Sequence, residues 1–262
     1  PPKWAGVHGP DFYHTVQPVL NTHCVKCHGG AKGEKPKGGV DLSPDYTPVF
    51  NVAYETLCSK KLVSYVDLYH VSTLITRPPK FYGSHASKAV QVLLTTHKDW
   101  VKMPKEDFER LVTWIDCNAP YYGTYVYDRP GTTGGRDVFA KHKATLDDVH
   151  QRRCAACHTG KPDALVYRMR LPAEASRALV APRAQAAGGD ALCKGKAKTS
   201  ELSGEPAPVF ADKSDPDYRK LLSVYADIAA DPRVDMRPER PPLSDPGCRY
   251  VYRPGVVRDA PR

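Results

Sequence analysis

Long apolar runs are missing from this chain of 262 residues. A helix that crosses a bilayer needs roughly 18 consecutive apolar residues, and the nearest approach, Leu111 to Ile115, is short and amphipathic. No membrane span is expected. Also absent are a glycine-rich phosphate cradle and a nucleophile set beside its base, so no catalytic constellation of those kinds is in view. Aromatic residues make up only 9% of the chain. The hydrophobic share, 41%, is nevertheless too high for a wholly disordered chain, and the 25 prolines and 19 glycines follow no collagen-like period. A packed but loop-rich protein follows, long enough for one large domain or two ordinary ones. The chain begins Pro1-Pro2 instead of Met, so an export signal or an upstream domain is expected to have preceded it.

What is present is cysteine in a pattern. Eight cysteines stand at 24, 27, 58, 117, 154, 157, 193 and 248, and four of them form two copies of CxxCH, Cys24-Val25-Lys26-Cys27-His28 and Cys154-Ala155-Ala156-Cys157-His158. At this chain's own Cys and His frequencies about 0.01 accidental matches are expected, so two copies carry information. Two thiols three positions apart add across the vinyl groups of a porphyrin, and the next residue's imidazole takes the iron from one side. A zinc knuckle needs four donors close together, whereas these pairs lie 130 residues apart, each with its own histidine. A thioredoxin-like CxxC wants a βαβ setting, which neither flank offers. Two covalently attached haem c groups are the expected cofactors, bound through Cys24, Cys27, Cys154 and Cys157, with His28 and His158 as proximal iron ligands.

Such attachment takes place outside the cytoplasm, so a periplasmic or extracellular protein is expected. There the other four cysteines can oxidise, and pairing Cys58 with Cys117 and Cys193 with Cys248 would keep each disulfide inside one haem unit; free buried thiols are the alternative. The net charge of +9 suggests an anionic partner at first sight. The lysines are dispersed outside Lys32 to Gly39, no nucleic-acid signature accompanies them, and the propionates of two haems would remove about four positive charges. No nucleic-acid partner is expected.

Along the chain, Asp11 caps a helix with Phe12, Val16, Val19 and Leu20 on its apolar face, bent or restarted at Pro18, that leads into the first CxxCH. Gly29 to Gly39 reads as loop. Ser84 begins the next helix, with Val90, Leu93 and Leu94 on one face. Pro104 occupies the first position of the clearest helix, where Phe108, Leu111, Val112 and Ile115 form a buried stripe beside Trp114. Tyr121 to Gly135 reads as a linker. Leu146 to Arg153 feeds the second motif, Ala173 to Val180 forms a short helix, and Asp215-Pro216 caps a last one through Tyr218, Leu221, Leu222, Tyr225 and Ile228. Asp231 to Arg262 holds seven prolines and reads as a surface tail. Strand signals are weak. The expected fold is mainly α with much irregular loop, two class I cytochrome c-like haem units in tandem. The units are residues 1–125 and residues 126–262, the latter with the Pro-rich C-terminal tail.

Several stretches carry a resemblance: Val16-Gln17-Pro18-Val19-Leu20 before Cys24, the block from Leu111 to Gly123 that includes Trp114-Ile115-Asp116 and Asn118-Ala119-Pro120-Tyr121-Tyr122-Gly123, Ala181-Pro182 with Ala187-Gly188-Gly189, and Asp215-Pro216-Asp217-Tyr218 with Asp235-Met236. Over most of its length the chain resembles the haem-bearing C-terminal region of hydrazine synthase alpha-subunit-like proteins and related planctomycete-type cytochromes. Larger members carry an upstream domain, often propeller-like. The resemblance implies haem binding without hydrazine synthesis, because Lys32 stands where that activity's haem has a tyrosine ligand.

The sixth iron ligands are left as alternatives. For the first haem, Met103 stands where class I cytochromes place their methionine, while the resemblance points to a histidine slot that His97 fills. For the second, Met236 matches a methionine of the family, with Met169, His142 and His150 as other options. Trp114, Tyr121, Tyr122 and Tyr125 can pack on a porphyrin or simply in the core. The expected function is one-electron transfer between redox partners, other cytochromes among them. The alternatives are a haem enzyme with one open coordination position, peroxidase-like or acting on nitrogen compounds, and a docking subunit of a larger redox assembly.

Overall fold

The computed structural model describes residues 10–30, 34–66, 77–122, 137–159, 165–199, 206–231 and 234, with the strand side chains of 194–199 and 206–207 left out. The chain is mainly α-helical with much loop, and among the described residues no helix is long and apolar enough to cross a membrane.

Asp11 caps the first helix as its short carboxylate allows, accepting from His14 N at 2.6 Å. The turn Phe12–Val16 has π geometry, and Pro18, which has no N–H to give, sits at the start of the α-helical continuation α1, Gln17–His23. Cys24 breaks the helix and α2, Val25–His28, completes the first CxxCH. Then come α3, Val52–Ser59, capped by the Asn51 side chain; α4, Lys88–Leu94; and α5, Lys105–Asp116. Pro104 is the cap of α5 and not its first residue. A 3₁₀ turn at Ser84–Ala86 precedes α4, so that helix begins after Ser87 and leaves Leu94 60% exposed, off the apolar face.

In the second half α6, Lys143–Arg153, leads into the second motif. A 3₁₀ turn at Ala173–Ala175 and α7, Arg177–Val180, replace the single helix expected there, because Ser176 lies extended between them. Two short antiparallel strands, β1 (Lys194–Thr199) and β2 (Pro206–Pro208), fall where no strand was expected. The last helix, α8, Pro216–Ala229, starts at Asp215, whose carboxylate accepts from Asp217 N and Tyr218 N.

The buried apolar residues form two cores. Phe12, Val16 and Leu20 meet Leu111, Trp114 and Ile115 of α5, together with Ala53, Leu57 and Val90, in one. Each large buried side chain of this stripe contributes about 1.5–3 kcal/mol. Leu146 and Val149 of α6 meet Tyr218, Leu221, Val224, Tyr225 and Ile228 of α8 in the other. Polar ties repeat the same crossing: His23 lies 2.8 Å from Asp107, and Arg152 holds Asp217 through two nitrogens at 2.7 and 2.9 Å.

The halves share a seam. Tyr46 and Met169 form an antiparallel bridge, N to O at 2.6 and 3.1 Å, Arg170 Nε donates to Asp45 at 2.5 Å, and Arg177 donates to the Gly30 carbonyl. Tyr46, from the first half of the chain, is buried in the second core.

Candidate haem sites

Both CxxCH motifs close the same backbone turn. Cys27 N and His28 N donate to Cys24 O at 3.1 and 2.9 Å, and Cys157 N and His158 N donate to Cys154 O at 3.1 and 2.9 Å. One helical turn therefore carries both thiols and the imidazole on neighbouring positions. Burial pushes the Cys24 thiol up to about 11, with Cys27 adding to the shift, and burial together with Cys193 does the same for Cys154, also to about 11.

Behind the first motif the chain must turn at once. A side chain at Gly29 would meet Val25 Cγ1 at 2.5 Å and Val25 O at 2.6 Å, and Gly30 has φ +57°, so glycine is what the turn requires. The loop then passes back beneath the imidazole: Leu42 N donates to His28 O at 2.7 Å, and the Val40 carbonyl lies 3.2 Å from His28 Nδ1. That contact fixes the ring and the tautomer and leaves Nε2 for a metal.

Close to His28 lies His97. It follows α4 in a tight turn, with His97 N donating to Val92 O at 2.9 Å and Val101 N to His97 O at 2.8 Å, and Thr96 Oγ1 sits 3.1 Å from its Nδ1. The two ring centres are 6.4 Å apart with 24° between planes. An iron between two imidazoles needs about 2.1 Å to each nitrogen and about 1.1 Å from nitrogen to ring centre on each side, a span of about 6.4 Å. The ring separation matches the room that an iron held between these two imidazoles would need. Met103, the competing candidate, lies six residues further on and is half-buried.

The second motif has fewer visible partners. His158 is exposed. Met169 is fully buried in the second core, and its backbone is engaged with Tyr46. His142 Nε2 is 2.7 Å from Asp227, tying α6 to α8. His150 is buried, and its Nε2 has no hydrogen-bond partner, but it sits on the helix that leads into the motif, where its carbonyl accepts from Cys154 N. Met236, like Tyr125, lies outside the described residues.

Cys58 and Cys117, paired in the sequence reading, are both free thiols in the structure. Cys58 is turned toward Tyr54 and Tyr65, whose hydroxyls oppose the upward push of burial on its thiol, while Cys117 is exposed at the end of α5. Cys193 is also free, and Cys248 lies outside the described residues. Trp114 and Tyr121 are core residues: Trp114 is buried against Phe12 at 5.3 Å and donates to Pro120 O at 2.8 Å. The Phe12 and Tyr121 rings stack at 5.9 Å.

One pair of residues went unremarked in the sequence. Ser87 and Ser176 are fully buried in equivalent places, between a 3₁₀ turn and a short helix. Ser87 Oγ accepts from Ser64 N at 2.9 Å and donates to Gly83 O at 2.8 Å; Ser176 Oγ accepts from Arg170 N at 2.9 Å. Their shared setting, Ala86-Ser87-Lys88-Ala89 and Ala175-Ser176-Arg177-Ala178, is the internal repeat that could have revealed them. Among the described residues, no three His, Cys, Asp or Glu side chains gather as they would around a bare metal ion. No family model, curated protein or solved structure matches the chain.

Proposed function

We propose that the protein is an exported dihaem c-type cytochrome that passes single electrons between redox partners, one haem seated in each half of the chain. The observation that carries this is the His28–His97 pair, held 6.4 Å apart and near-parallel above a CxxCH turn.

Iron in such a site supplies one-electron redox chemistry and little else when both axial positions are filled. The chain's own residues do the rest. Cys24 and Cys27 anchor the porphyrin edge, Val40 O orients the His28 ring, and Thr96 sits at the remote nitrogen of His97. Because both imidazoles are held by the folded chain, a change of oxidation state requires little rearrangement, which suits electron transfer. A bis-imidazole site also leaves no coordination position for a substrate.

The test is direct. Intact mass should exceed the bare polypeptide by about 1.2 kDa for two haems, and the ferric first haem should be low-spin and indifferent to cyanide and peroxide. A bare-peptide mass, or a first haem that is high-spin and binds peroxide, would sink the reading.

A further inference from the structure

We propose that a cleft at the seam of the two halves binds a small aromatic ring carrying a hydroxyl group, a phenol or a hydroquinone. The cleft is walled by the polypeptide, so its occupancy is read independently of haem content.

Size and walls set the first limit. The cleft has a volume of about 260 Å³ and lies between the start of α1, the loop from Pro44 to Tyr46, and Leu171 of the second half. An apolar cavity of about 150 Å³ takes one benzene, so one substituted ring has room here. Tyr13, Pro18, Pro44, Tyr46 and Leu171 supply flat or apolar surface. The Tyr13 and Tyr46 rings are 5.4 Å apart and tilted by 36°. Tyr46 is held twice, its backbone bridged to Met169 and its hydroxyl donating to Val234 O at 3.2 Å. The fold therefore sets these walls before a ligand arrives. Leu171 is 37% exposed, apolar surface that a bound ring would cover.

The polar groups decide what kind of ring. His14 lines the cleft, and its Nδ1 lies 3.1 and 3.2 Å from the two oxygens of Asp11. A carboxylate only accepts, so Nδ1 carries the proton and Nε2 of the neutral ring is left as an acceptor.

Asn21, also in the lining, supplies the complement, because a run of hydrogen bonds fixes its amide. Tyr54 N donates to Asn51 Oδ1 at 2.8 Å, which turns Asn51 Nδ2 to Gln17 Oε1 at 2.9 Å. Gln17 Nε2 then donates to Leu42 O and to Asn21 Oδ1, at 3.2 and 3.0 Å. With Oδ1 turned to Gln17, Asn21 keeps Nδ2 as its donor for the cleft. One acceptor and one donor beside apolar walls match a hydroxyl, which donates to the first and accepts from the second. A carboxylate would set its charge against the imidazole lone pair with Asp11 behind it.

The experiment titrates the full-length protein with phenol, hydroquinone, anisole and benzoate by saturation-transfer NMR, with circular dichroism to check the folding of each variant. Phenol should bind at a single site per chain and leave the haem absorption unmoved, and hydroquinone should displace it. Phenol binding to a chain whose intact mass shows no haem refutes the dihaem reading and supports the cleft. Anisole keeps the oxygen and lacks the O–H, so it should bind about tenfold more weakly, the worth of one hydrogen bond, and benzoate more weakly than phenol. His14→Leu should cost phenol about tenfold and bring it level with anisole, whereas Asn21→Ala should weaken both alike. Leu171→Trp, outside both sets of hydrogen bonds, should fill the cleft and abolish binding. Should His14→Leu fail to fold, the phenol-to-anisole ratio of the wild type and Leu171→Trp decide. No phenol binding, equal binding of phenol and anisole, tighter binding of benzoate, or phenol binding that survives Leu171→Trp would each overturn the assignment.

Discussion

Replacing His97 by alanine should open the first haem and nothing else. The ring separation of 6.4 Å is about the span of two iron–nitrogen bonds with their half-rings, so on the proposed reading no other side chain is needed as the sixth ligand. Truncation leaves one iron five-coordinate and high-spin and a space shaped like the lost ring, and added imidazole should restore the low-spin spectrum. His97→Met should keep the iron six-coordinate and raise its potential by the order of 100 mV, because a thioether favours the reduced metal. At about 59 mV per tenfold for one electron, that is between one and two orders of magnitude in the reduced-to-oxidised ratio. Electron paramagnetic resonance and a spectroelectrochemical titration read both outcomes. The 24° between the rings further implies a rhombic low-spin signal, since near-parallel imidazoles separate the two iron dπ orbitals that crossed ones leave nearly equal in energy. If His97→Ala stays low-spin while Met103→Ala becomes high-spin, the bis-imidazole site is wrong.

Other consequences lie in the scaffold. Ser87→Ala and Ser176→Ala should each cost about 1–3 kcal/mol in denaturant unfolding, because each strands a buried backbone N–H that now has an acceptor. Gly189→Ala should cost a similar about 1–3 kcal/mol by forcing the added carbon against the Arg183 carbonyl, and circular dichroism melting will show it. Lys141 and His142 beside Asp227 hold its carboxyl below the usual 3.8. The folded-state value is depressed, so this contribution is present above pH 3.8 and is lost as the pH falls below it. Asp227→Asn should flatten the stability curve in that acid window, and added salt should shrink the difference because the carboxylate is half-exposed.

Much of the helical framework was legible because its signals are local. Asp11 and Asp215 have short carboxylates that satisfy the first free N–H groups of their helices, and Leu111, Trp114 and Ile115 recur at the spacing that puts one face in a core. Ser87 and Ser176 show where local signals fail. Each looks like a helix interior or a loop residue in sequence, and is a buried hinge only because a distant N–H, from Ser64 or Arg170, comes to meet it.

The two CxxCH motifs stand in the sequence by themselves, since one turn of backbone suffices to set two thiols and an imidazole side by side. What lies close to His28 is a different kind of fact. His97 and Met103 differ by six positions, and both lie near the start of the last helix of their half. Only the folding of α4 and its following turn brings the His97 ring within 6.4 Å of the His28 ring, because this is a contact across space between segments that share no local rule.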